Sequence, residues 1–219
     1  MSDEGRVPEV RRRSPRTRLS PEARQAMILD AAVQFFAERG FAAQTRELAA
    51  RLDISEPLIY RYFPTKEALI ERVYQEVIES RWDDQWANEL QDRRTPLRTR
   101  LVDFYQRYLD AIDDGIWIRI VMYASLDGLD MTRLYIAGHV DHVMGIIAAE
   151  AKASLTLDHD VDLELVWHLQ STLIYYLVRK HIHRTPVEPE HEAVVTMAVD
   201  AFVSGLPGHP EPAVDDPGS

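Results

Sequence analysis

The chain has 219 residues, 46% of them hydrophobic and 28% charged, which is typical of a folded globular protein, and the absence of cysteine excludes disulfides, thiolate metal sites and cysteine nucleophiles. No uninterrupted apolar run approaches the roughly 20 residues that span a bilayer, and the charged N-terminus lacks an apolar signal core, so we expect a cytoplasmic protein. The net charge of −11 argues against a nucleic acid partner for the chain as a whole, because phosphate binding requires Lys and Arg.

The N-terminal part of the chain reverses that charge balance. Residues 1–66 carry 12 Lys and Arg against 9 Asp and Glu, a balance of +3, whereas the remainder carries 13 against 27, a balance of −14. Residues 1–19 contain six arginines, two prolines and almost no large apolar side chains, which predicts a flexible basic arm. This asymmetry indicates a basic binding unit joined to an acidic body with a different task.

Three helices are predicted after the arm. Ser20 is placed as the N-cap of the first helix, and Gly40 ends it. A second, short helix is predicted to start with Thr45 as its cap and to run to about Leu52. Asp53 and Ile54 then make a tight turn.

The third helix follows directly from that turn. Ser55 is its predicted cap, and Pro57 is tolerated because it falls in the first helical turn. Phe63 precedes a proline, which disfavours further helix, and Thr65 is the predicted cap of a fourth helix.

The remainder of the chain is predicted to be helical. Apolar residues recur at helical spacing, as in the stripes Leu97, Leu101, Phe104, Tyr108, Ile112 and Leu163, Val166, Trp167, Ile174, Leu177, and strand alternation is nowhere sustained. The last fourteen residues, 206–219, contain four prolines and three acidic residues, which predicts a disordered tail. The fold class is therefore all-α, with helices at about 66–87, 96–113, 116–126, 128–154, 160–184 and 187–205.

The first three helices have a geometry suited to DNA. Two short helices joined by a tight turn, with a third that packs over both, allow one helix to enter a major groove about 12 Å wide. The string TRELAARLDISEPLIYRYFPTKEAL at residues 45–69 resembles the signature of the TetR family of transcriptional regulators. The most specific part is the spacing of Tyr60, Phe63, Lys66 and Leu69.

The resemblance is strong over residues 22–75 and departs from the family at two places. The family usually has Gly at the turn position that Asp53 occupies, although Asp tolerates left-handed backbone better than most residues. The segment from Gly40 to Leu48 is about one residue shorter than the common form, which bears on the start of the second helix and on the placement of Arg46.

The resemblance implies a two-domain regulator. A helix-turn-helix DNA-binding domain would occupy residues 20–66, and a larger helical domain for ligand binding and dimerisation would occupy residues 67–205. The function implied is a regulator that a small molecule releases from a palindromic DNA operator, most simply a repressor.

The third helix and its neighbours supply the predicted DNA contacts. Within the family, the position of Tyr60 donates its hydroxyl to a phosphate, and Lys66 adds a charge where helix N–H groups already favour phosphate. Arg46 and Arg61 are candidates to read guanine O6 and N7. Glu56 either accepts from cytosine N4 or simply complements the helix dipole.

The two faces of the third helix divide core from interface. Ile59 and Phe63, four residues apart, are predicted to face the first helix as core. Pro57 and Leu58 are candidates to touch thymine methyl groups. For the basic arm, minor-groove or phosphate contact and a solvated or membrane-surface tail both stay open. The predicted DNA-binding set is Arg46, Ser55, Glu56, Pro57, Leu58, Tyr60, Arg61, Tyr62 and Lys66.

The acidic body is assigned two tasks by the same resemblance. The last two long helices, at 160–184 and 187–205, would form the homodimer that lets two reading heads bind two half-sites. The middle helices would enclose a pocket, and their Tyr and Trp content favours a mostly apolar effector, with a cationic one as the alternative. Each candidate lining residue also fits an ordinary core position: Tyr105, Trp117, Met122, Tyr123, Tyr135, His142, Trp167 and Gln170.

Other classes of function receive less support from the sequence. A Gly-rich phosphate loop, a nucleophile motif and a Glu-x-x-His pair are all missing, so an enzyme is not predicted. His139 and His142 have a spacing that metal sites use, but with no Cys we predict neither a metal site nor a cofactor. A DNA-binding regulator without a ligand stays as the main alternative.

Overall fold

In the computed structural model of the protein, residues 19–206 are described, and every regular element within them is helical. The all-α prediction is confirmed, whereas the predicted arm at 1–19 and the predicted tail at 206–219 lie outside the described residues except for Leu19 and Leu206. The α-helices of this range are α1 (Pro21–Arg39), α2 (Thr45–Arg51), α3 (Glu56–Tyr62), α4 (Lys66–Val77), α5 (Gln85–Leu90), α6 (Leu97–Ile112), α7 (Gly115–Leu126), α8 (Asp130–Tyr135), α9 (Asp141–Leu155), α10 (Leu163–Leu177) and α11 (His191–Gly205).

The ends of α1 follow the sequence signals. The Ser20 hydroxyl accepts a hydrogen bond from the Ala23 N–H at 3.2 Å, which satisfies one of the free donors of the first turn. Gly40 ends the helix with φ of 77° while its N–H bonds to the Phe36 carbonyl. Both predicted boundaries of this helix are confirmed.

The start of α2 differs from the prediction. Gln44 occupies the N-cap position and Thr45 is the first helical residue, so Thr45 is not the cap. Its side chain is buried and bonds across to α3. A hydroxyl that finds partners on a neighbouring helix is not available to the backbone of its own first turn.

The predicted helix at 66–87 is wrong as a single element. It consists of α4, a 3₁₀ turn at Glu79–Arg81 and the separate α5. At the break Trp82 adopts extended backbone, and its ring then meets Trp86 and Tyr135 with centroids 5.3 and 6.1 Å away. Burial of this ring among aromatic side chains outweighs continuation of the helix.

The long helices near the C-terminus contain π turns. Ile136–Val140 joins α8 to α9, and Val178–His183 extends α10, so the predicted stretches 128–154 and 160–184 are each continuous but irregular. Leu163 is exposed at the start of α10, contrary to its predicted place in an apolar stripe. Leu206 is buried, so the packed body extends into the predicted tail.

The core of the body lies around α6. Its predicted stripe from Leu97 to Ile112 is buried, and α5, α9 and α11 pack against it. A second contact joins the two halves of the molecule, because α7 packs on both α1 and α4. Helix α7 therefore joins α4 in packing the body against the N-terminal helices.

Candidate DNA-binding site and effector cavity

The turn between α2 and α3 is closed by two backbone hydrogen bonds. The Ile54 N–H donates to the Ala49 carbonyl at 3.1 Å and the Asp53 N–H to the Ala50 carbonyl at 3.2 Å. This pattern requires a left-handed residue after the helix, and Asp53 has φ of 53°. The expectation that Asp53 supports the turn in place of Gly is confirmed.

A chain of side-chain hydrogen bonds fixes α3 against α2. The Thr45 hydroxyl donates to Glu56 Oε1 at 2.6 Å and lies 2.8 Å from the Tyr60 hydroxyl. Because a threonine hydroxyl has a single proton, the Tyr60 hydroxyl is the donor to Thr45 Oγ1. Glu56 therefore acts within the protein, holding the two helices in register.

Two ion pairs join α1 to α2. Arg51 lies 2.7 Å from Glu38, and Arg39 lies 3.6 Å from Glu47. The hydrogen bond from Arg51 lowers the pKa of Glu38. These are exposed pairs of small individual energy, but they engage two of the arginines of this domain.

Four other cations of the domain, Arg24 among them, are without an ion pair in the described range. Within residues 19–206, Arg46, Arg61 and Lys66 form no ion pair, and the two arginines are exposed. Lys66 is the first residue of α4, where the Thr65 hydroxyl accepts from the Ala68 N–H at 3.0 Å. Cations next to exposed N–H groups at a helix start favour a phosphate ligand.

The remaining predicted DNA contacts divide by exposure. Ser55 and Pro57 are exposed, while Leu58 and Tyr62 are partly buried. Ser55 occupies the predicted N-cap position, although its side chain makes no capping hydrogen bond. Ile59 and Phe63 are buried in the core, as predicted, and this orientation turns the opposite face of α3 outward.

A cavity of about 400 Å³ lies in the body between α7, α8 and α10. Its walls are mostly aromatic and branched aliphatic, with none of the lining side chains acidic, basic or imidazole. Tyr175 and Ile136 are exposed, so solvent reaches one side of it. It is lined by Tyr108, Trp117, Val121, Met122, Thr132, Tyr135, Ile136, Val140, Trp167, Gln170, Ser171, Ile174, Tyr175 and Val178.

Five of the eight predicted ligand residues meet in this cavity, namely Trp117, Met122, Tyr135, Trp167 and Gln170. Periodicity placed Ile174 in an apolar stripe but did not single out Val121, Thr132 or Ser171, because ordinary helix residues give no signal until the neighbouring helix is known. Tyr108 had been assigned to an apolar stripe, and it serves both as core and as cavity wall.

The other three predicted residues lie elsewhere. Tyr105 is fully buried beside Phe104, with ring centroids 4.8 Å apart. Tyr123 faces the N-terminal domain, since the Cβ position of Gly40 lies 3.0 Å from its Cδ1 atom. His142 is exposed on α9, in a surface hollow away from the cavity.

Polar atoms are few in the cavity wall and incompletely paired. Trp117 Nε1, Gln170 Oε1 and Thr132 Oγ1 form no hydrogen bond with the described residues, although all three are buried. The Gln170 amide N–H group lies 3.4 Å from the Tyr108 hydroxyl, a long contact. Burial raises the pKa of Tyr108 to about 12, so its phenol is neutral at physiological pH.

Helix α7 connects the cavity to the helix-turn-helix domain. Trp117 and Met122 line the cavity, whereas Asp127, just past the end of α7, accepts a hydrogen bond from the Phe41 N–H at 3.2 Å. Gly40, the neighbour of Phe41, packs on Tyr123. One helix therefore contacts the cavity and the turn that leads into α2.

The spacing of His139 and His142 does not correspond to a metal site in the described residues. His139 packs in the aromatic cluster, with its ring 5.1 Å from Trp82 and 5.3 Å from Tyr135. Among residues 19–206 no three His, Asp or Glu side chains lie close enough together to hold a metal ion. A separate search of the same residues finds no helix long and apolar enough to cross a membrane.

A helix-turn-helix with an outward-facing third helix, carried on an all-helical body, defines a DNA-binding regulatory protein. The sequence profile of the bacterial regulatory proteins of the tetR family matches residues 28–73, the segment built around this motif. Residues 28–73 therefore form a helix-turn-helix domain of the TetR type, and the chain resembles the TetR regulators, which bind DNA and act as dimers. It is a DNA-binding transcriptional regulator and not an enzyme.

Relatives of the chain are described in the same terms. It is 34% identical over 79 residues to the HTH-type transcriptional regulator LuxR of Vibrio harveyi, a match that covers 36% of each chain and so about a third of that relative. It is 29% identical over 161 residues to the HTH-type transcriptional repressor Rv3405c of Mycobacterium tuberculosis, covering 68% of this chain and 74% of the relative.

The fold also resembles that of solved structures. A TetR-like transcriptional regulator from Rhodococcus sp. RHA1 superposes with a TM-score of 0.63 at 19% sequence identity. The superposition covers 86% of this chain and all of the other. At this level of identity the likeness concerns the fold, and it extends over the body as well as the N-terminal helices.

Proposed function

We propose that the protein is a ligand-responsive repressor, whose dimer binds a palindromic operator and leaves it when a small, mostly apolar molecule fills the cavity. The observation that carries this proposal is the position of α7. Its residues Trp117 and Met122 line the cavity, while Tyr123 and Asp127 contact the turn before α2. A relative named as a repressor supports the direction of control.

The division of labour follows the helices. Residues 20–66 would bind DNA, and residues 67–205 would bind the effector and the second subunit. Tyr60 and Lys66 would contact phosphates, and Arg46 and Arg61, which are exposed and without ion pairs in the described range, would reach base edges. Ser55, Glu56, Pro57, Leu58 and Tyr62 complete the proposed surface.

The dimer would form through α10 and α11. Both helices expose large apolar side chains, Tyr175 on α10 and Met197 on α11, with Met197 64% exposed. Along α11 the exposed residues Ala193, Met197 and Ala201 recur every four positions and so lie in one stripe, with a small alanine on either side of Met197. Small residues allow the backbones of two helices to approach closely, and two copies of the stripe would meet across a two-fold axis.

The coupling between the sites requires a difference in affinity. An effector releases the protein from DNA only if it binds the free dimer more tightly than the operator-bound dimer. The ratio of these two effector affinities equals the factor by which the effector lowers the affinity for the operator. We propose that filling the cavity moves α7, and with it the turn at Gly40 and Phe41, so that the two reading heads no longer match half-sites one helical turn apart.

The first experiment identifies the operator. Purified full-length protein selects from random DNA fragments, and an inverted repeat is expected among the bound sequences. A screen of apolar and cationic compounds by thermal melting then identifies effectors, because a ligand of the folded state raises the midpoint. Selection of single, unrepeated sites would contradict binding of the operator by a dimer. A ligand that stabilises the protein but leaves its affinity for the operator unchanged would favour a regulator that does not respond to ligands of this cavity.

The second experiment tests the route of coupling. Asp127→Ala removes the acceptor for the Phe41 N–H and leaves the cavity lining intact. We expect DNA affinity and effector affinity to persist separately, while the effector loses much of its influence on DNA binding. Asp130→Ala, at an exposed position paired only with Arg133 among the interactions described, is the matched control and should respond normally.

A further inference from the structure

The residues that line the cavity include three buried polar atoms without a hydrogen-bond partner in the described range: the Thr132 hydroxyl oxygen, and one atom each of Trp117 and Gln170. The side chains of Trp117 and Gln170 are 3% and 4% exposed, and neither Trp117 Nε1 nor Gln170 Oε1 has a hydrogen-bond partner in the described range. Unpaired buried polar atoms destabilise a folded protein and are rare in native structures. Both side chains border the same cavity, Trp117 from α7 and Gln170 from α10, so a ligand in the cavity lies between the two helices that carry them.

The Trp117 and Gln170 atoms have complementary character. The indole N–H of Trp117 can only donate, and the Gln170 carbonyl oxygen can only accept. A hydroxyl group both accepts and donates, so one hydroxyl placed between the two side chains satisfies both. A carbonyl would satisfy Trp117 alone, and an amine cation would satisfy Gln170 alone.

The rest of the wall restricts the charge of the ligand. The lining includes no acidic, basic or imidazole side chain, and Tyr108 and Tyr135 are phenols that burial keeps neutral by raising their pKa values. A carboxylate or ammonium group would lose its water without gaining a counter-ion, which is strongly unfavourable.

The shape and surface of the wall favour rings. Aromatic side chains come from three sides, with Trp117 on α7, Tyr135 on α8 and Trp167 on α10. Ring faces and edges pack well against other rings. The volume of about 400 Å³ lies at the lower end of the range for small-molecule pockets, so the ligand is small.

We infer that the effector is an uncharged ring compound with a hydroxyl group, which accepts a hydrogen bond from Trp117 Nε1 and donates one to Gln170 Oε1. The inference rests on the proposed function, since it names the ligand class of the proposed effector cavity. Trp117 and Gln170 are the specificity-determining residues, and the aliphatic lining supplies affinity without selecting a functional group.

The test uses four probes with one ring system: naphthalene, 2-naphthol, 2-naphthoate and 2-naphthylmethylammonium. Binding to the full-length protein without DNA is measured by titration calorimetry and by the shift of the thermal midpoint. We expect 2-naphthol to bind about tenfold more tightly than naphthalene, the effect of roughly one or two net hydrogen bonds. The two ions should bind more weakly than naphthalene.

Two variants remove the polar atoms and keep most of the apolar volume. Trp117→Phe and Gln170→Leu should each lower the preference for 2-naphthol over naphthalene by about threefold or more. Neither change should lower the thermal midpoint of the unliganded protein by as much as a lost core contact would, because each removes an unsatisfied group. Ile174→Val is the control, since it trims the wall without touching a polar atom and should leave the preference unchanged.

Three results would overturn the inference: binding of either ion as tightly as 2-naphthol, survival of the full preference in both variants, or no binding of any probe. Each of these is measured without DNA, so it leaves operator binding to be judged separately. The proposed function fails in a different way, if 2-naphthol binds as described and the affinity for the selected operator does not change.

Discussion

Tyr60 illustrates how one side chain can serve the fold and the proposed interface together. Its hydroxyl donates to Thr45 in the free protein, yet the residue is 37% exposed. To contact a phosphate it must redirect that proton, so DNA binding would exchange one hydrogen bond for a stronger, charge-assisted one. Thr45 would retain its bond to Glu56 and keep α2 and α3 aligned during the exchange.

Changes at the proposed phosphate contacts should weaken binding to all DNA sequences alike. Tyr60→Phe is expected to lower operator affinity by about threefold to tenfold, the effect of one hydrogen bond, and Lys66→Ala to reduce the slope of log affinity against log salt by about one unit. Fluorescence anisotropy at several salt concentrations measures both. Arg133→Ala on α8 removes the same charge from the body and serves as control; unchanged affinity in the Tyr60→Phe, Lys66→Ala double variant would refute the assignment.

Gly40 is required for a conformational reason and for a steric one. Its φ of 77° and ψ of 169° lie where essentially only glycine is found, and an added Cβ would lie 3.0 Å from Tyr123. Gly40→Ala should therefore destabilise the protein by about 2 kcal/mol or more, and Tyr123→Ala in that background should relieve only the steric part. Urea unfolding gives the free energy of unfolding of each protein in this double-mutant cycle. Gly145→Ala, in α9 with open space around it, should be neutral or stabilising, and a Gly40→Ala variant as stable as this control would contradict the account.

At the scale of helices, an ionic cluster joins the α6–α7 corner to the π turn that extends α10. The Asp113 carboxylate accepts from Lys180 Nζ and lies close to His181 Nε2, each at 2.6 Å, and His191 Nδ1 lies 3.4 Å away. Burial acts to raise the pKa of Asp113, but the hydrogen bonds from Lys180 and His181 outweigh it and lower the pKa. The cluster thus secures the end of α10 next to the helix that reaches the DNA-binding domain.

The Asp113 cluster should stabilise the folded protein in a way that depends on pH. Because the folded pKa of Asp113 lies below its ordinary value, its contribution is present above about pH 4 and is lost as the pH falls through the folded pKa. Asp113→Asn should cost about 1–3 kcal/mol at neutral pH, and the thermal midpoints of variant and parent should converge only below about pH 4. Asp130→Asn, in an exposed pair, should show no such difference, and a constant gap down to pH 2 would contradict the assignment.

The helices show which features a sequence can predict. Caps are local, so Ser20, Gly40 and Thr65 were placed correctly from their neighbours in the chain. The break at Trp82 was missed because its cause is the aromatic cluster, which brings together residues more than fifty positions apart. Thr45 was misassigned for a similar reason, since its partners lie on the next helix.

The candidate cavity was predicted in part for the same physical reason. Periodicity shows which residues share a face of a helix but not which helix covers that face. On α7, Trp117 turned toward the cavity and Tyr123 toward Gly40, although both are aromatic residues of one amphipathic segment. His142 had an equally suitable side chain, and the rotation of α9 leaves it exposed.

For the whole molecule, the separation of charge has a consequence for encounter with DNA. The segment after residue 66 carries a balance of −14 and the segment before it +3. DNA would repel the acidic body and attract the basic end, so the molecule approaches with α3 foremost. A net acidic regulator is therefore compatible with DNA binding, and the repulsion also disfavours non-specific contact through the wrong face.

The proposed dimer gives the prediction at this scale. Met197→Glu places a charge at the centre of the exposed stripe on α11 and should shift the protein to monomer, with loss of most operator affinity but with helix content unchanged. Sedimentation and circular dichroism measure the two properties. Leu126→Glu, at an apolar side chain that is 81% exposed at the end of α7, is the matched control and should stay dimeric. If Met197→Glu also stays dimeric, another surface forms the dimer.

The shared role of α7 limits how the cavity can change its chemical preference. Trp117 and Val121 line the cavity from α7, the helix that leads to Asp127 and its hydrogen bond with Phe41. A substitution at either residue that changes ligand specificity would therefore also disturb the coupling between the cavity and the DNA-binding domain. Trp167 and Ile174 form the wall on α10, and neither takes part in the contacts described for the turn at Phe41, which come from Tyr123 and Asp127. We therefore expect natural divergence or engineering toward other inducers to change residues of α10, because substitutions there can alter ligand specificity without altering the coupling to DNA binding.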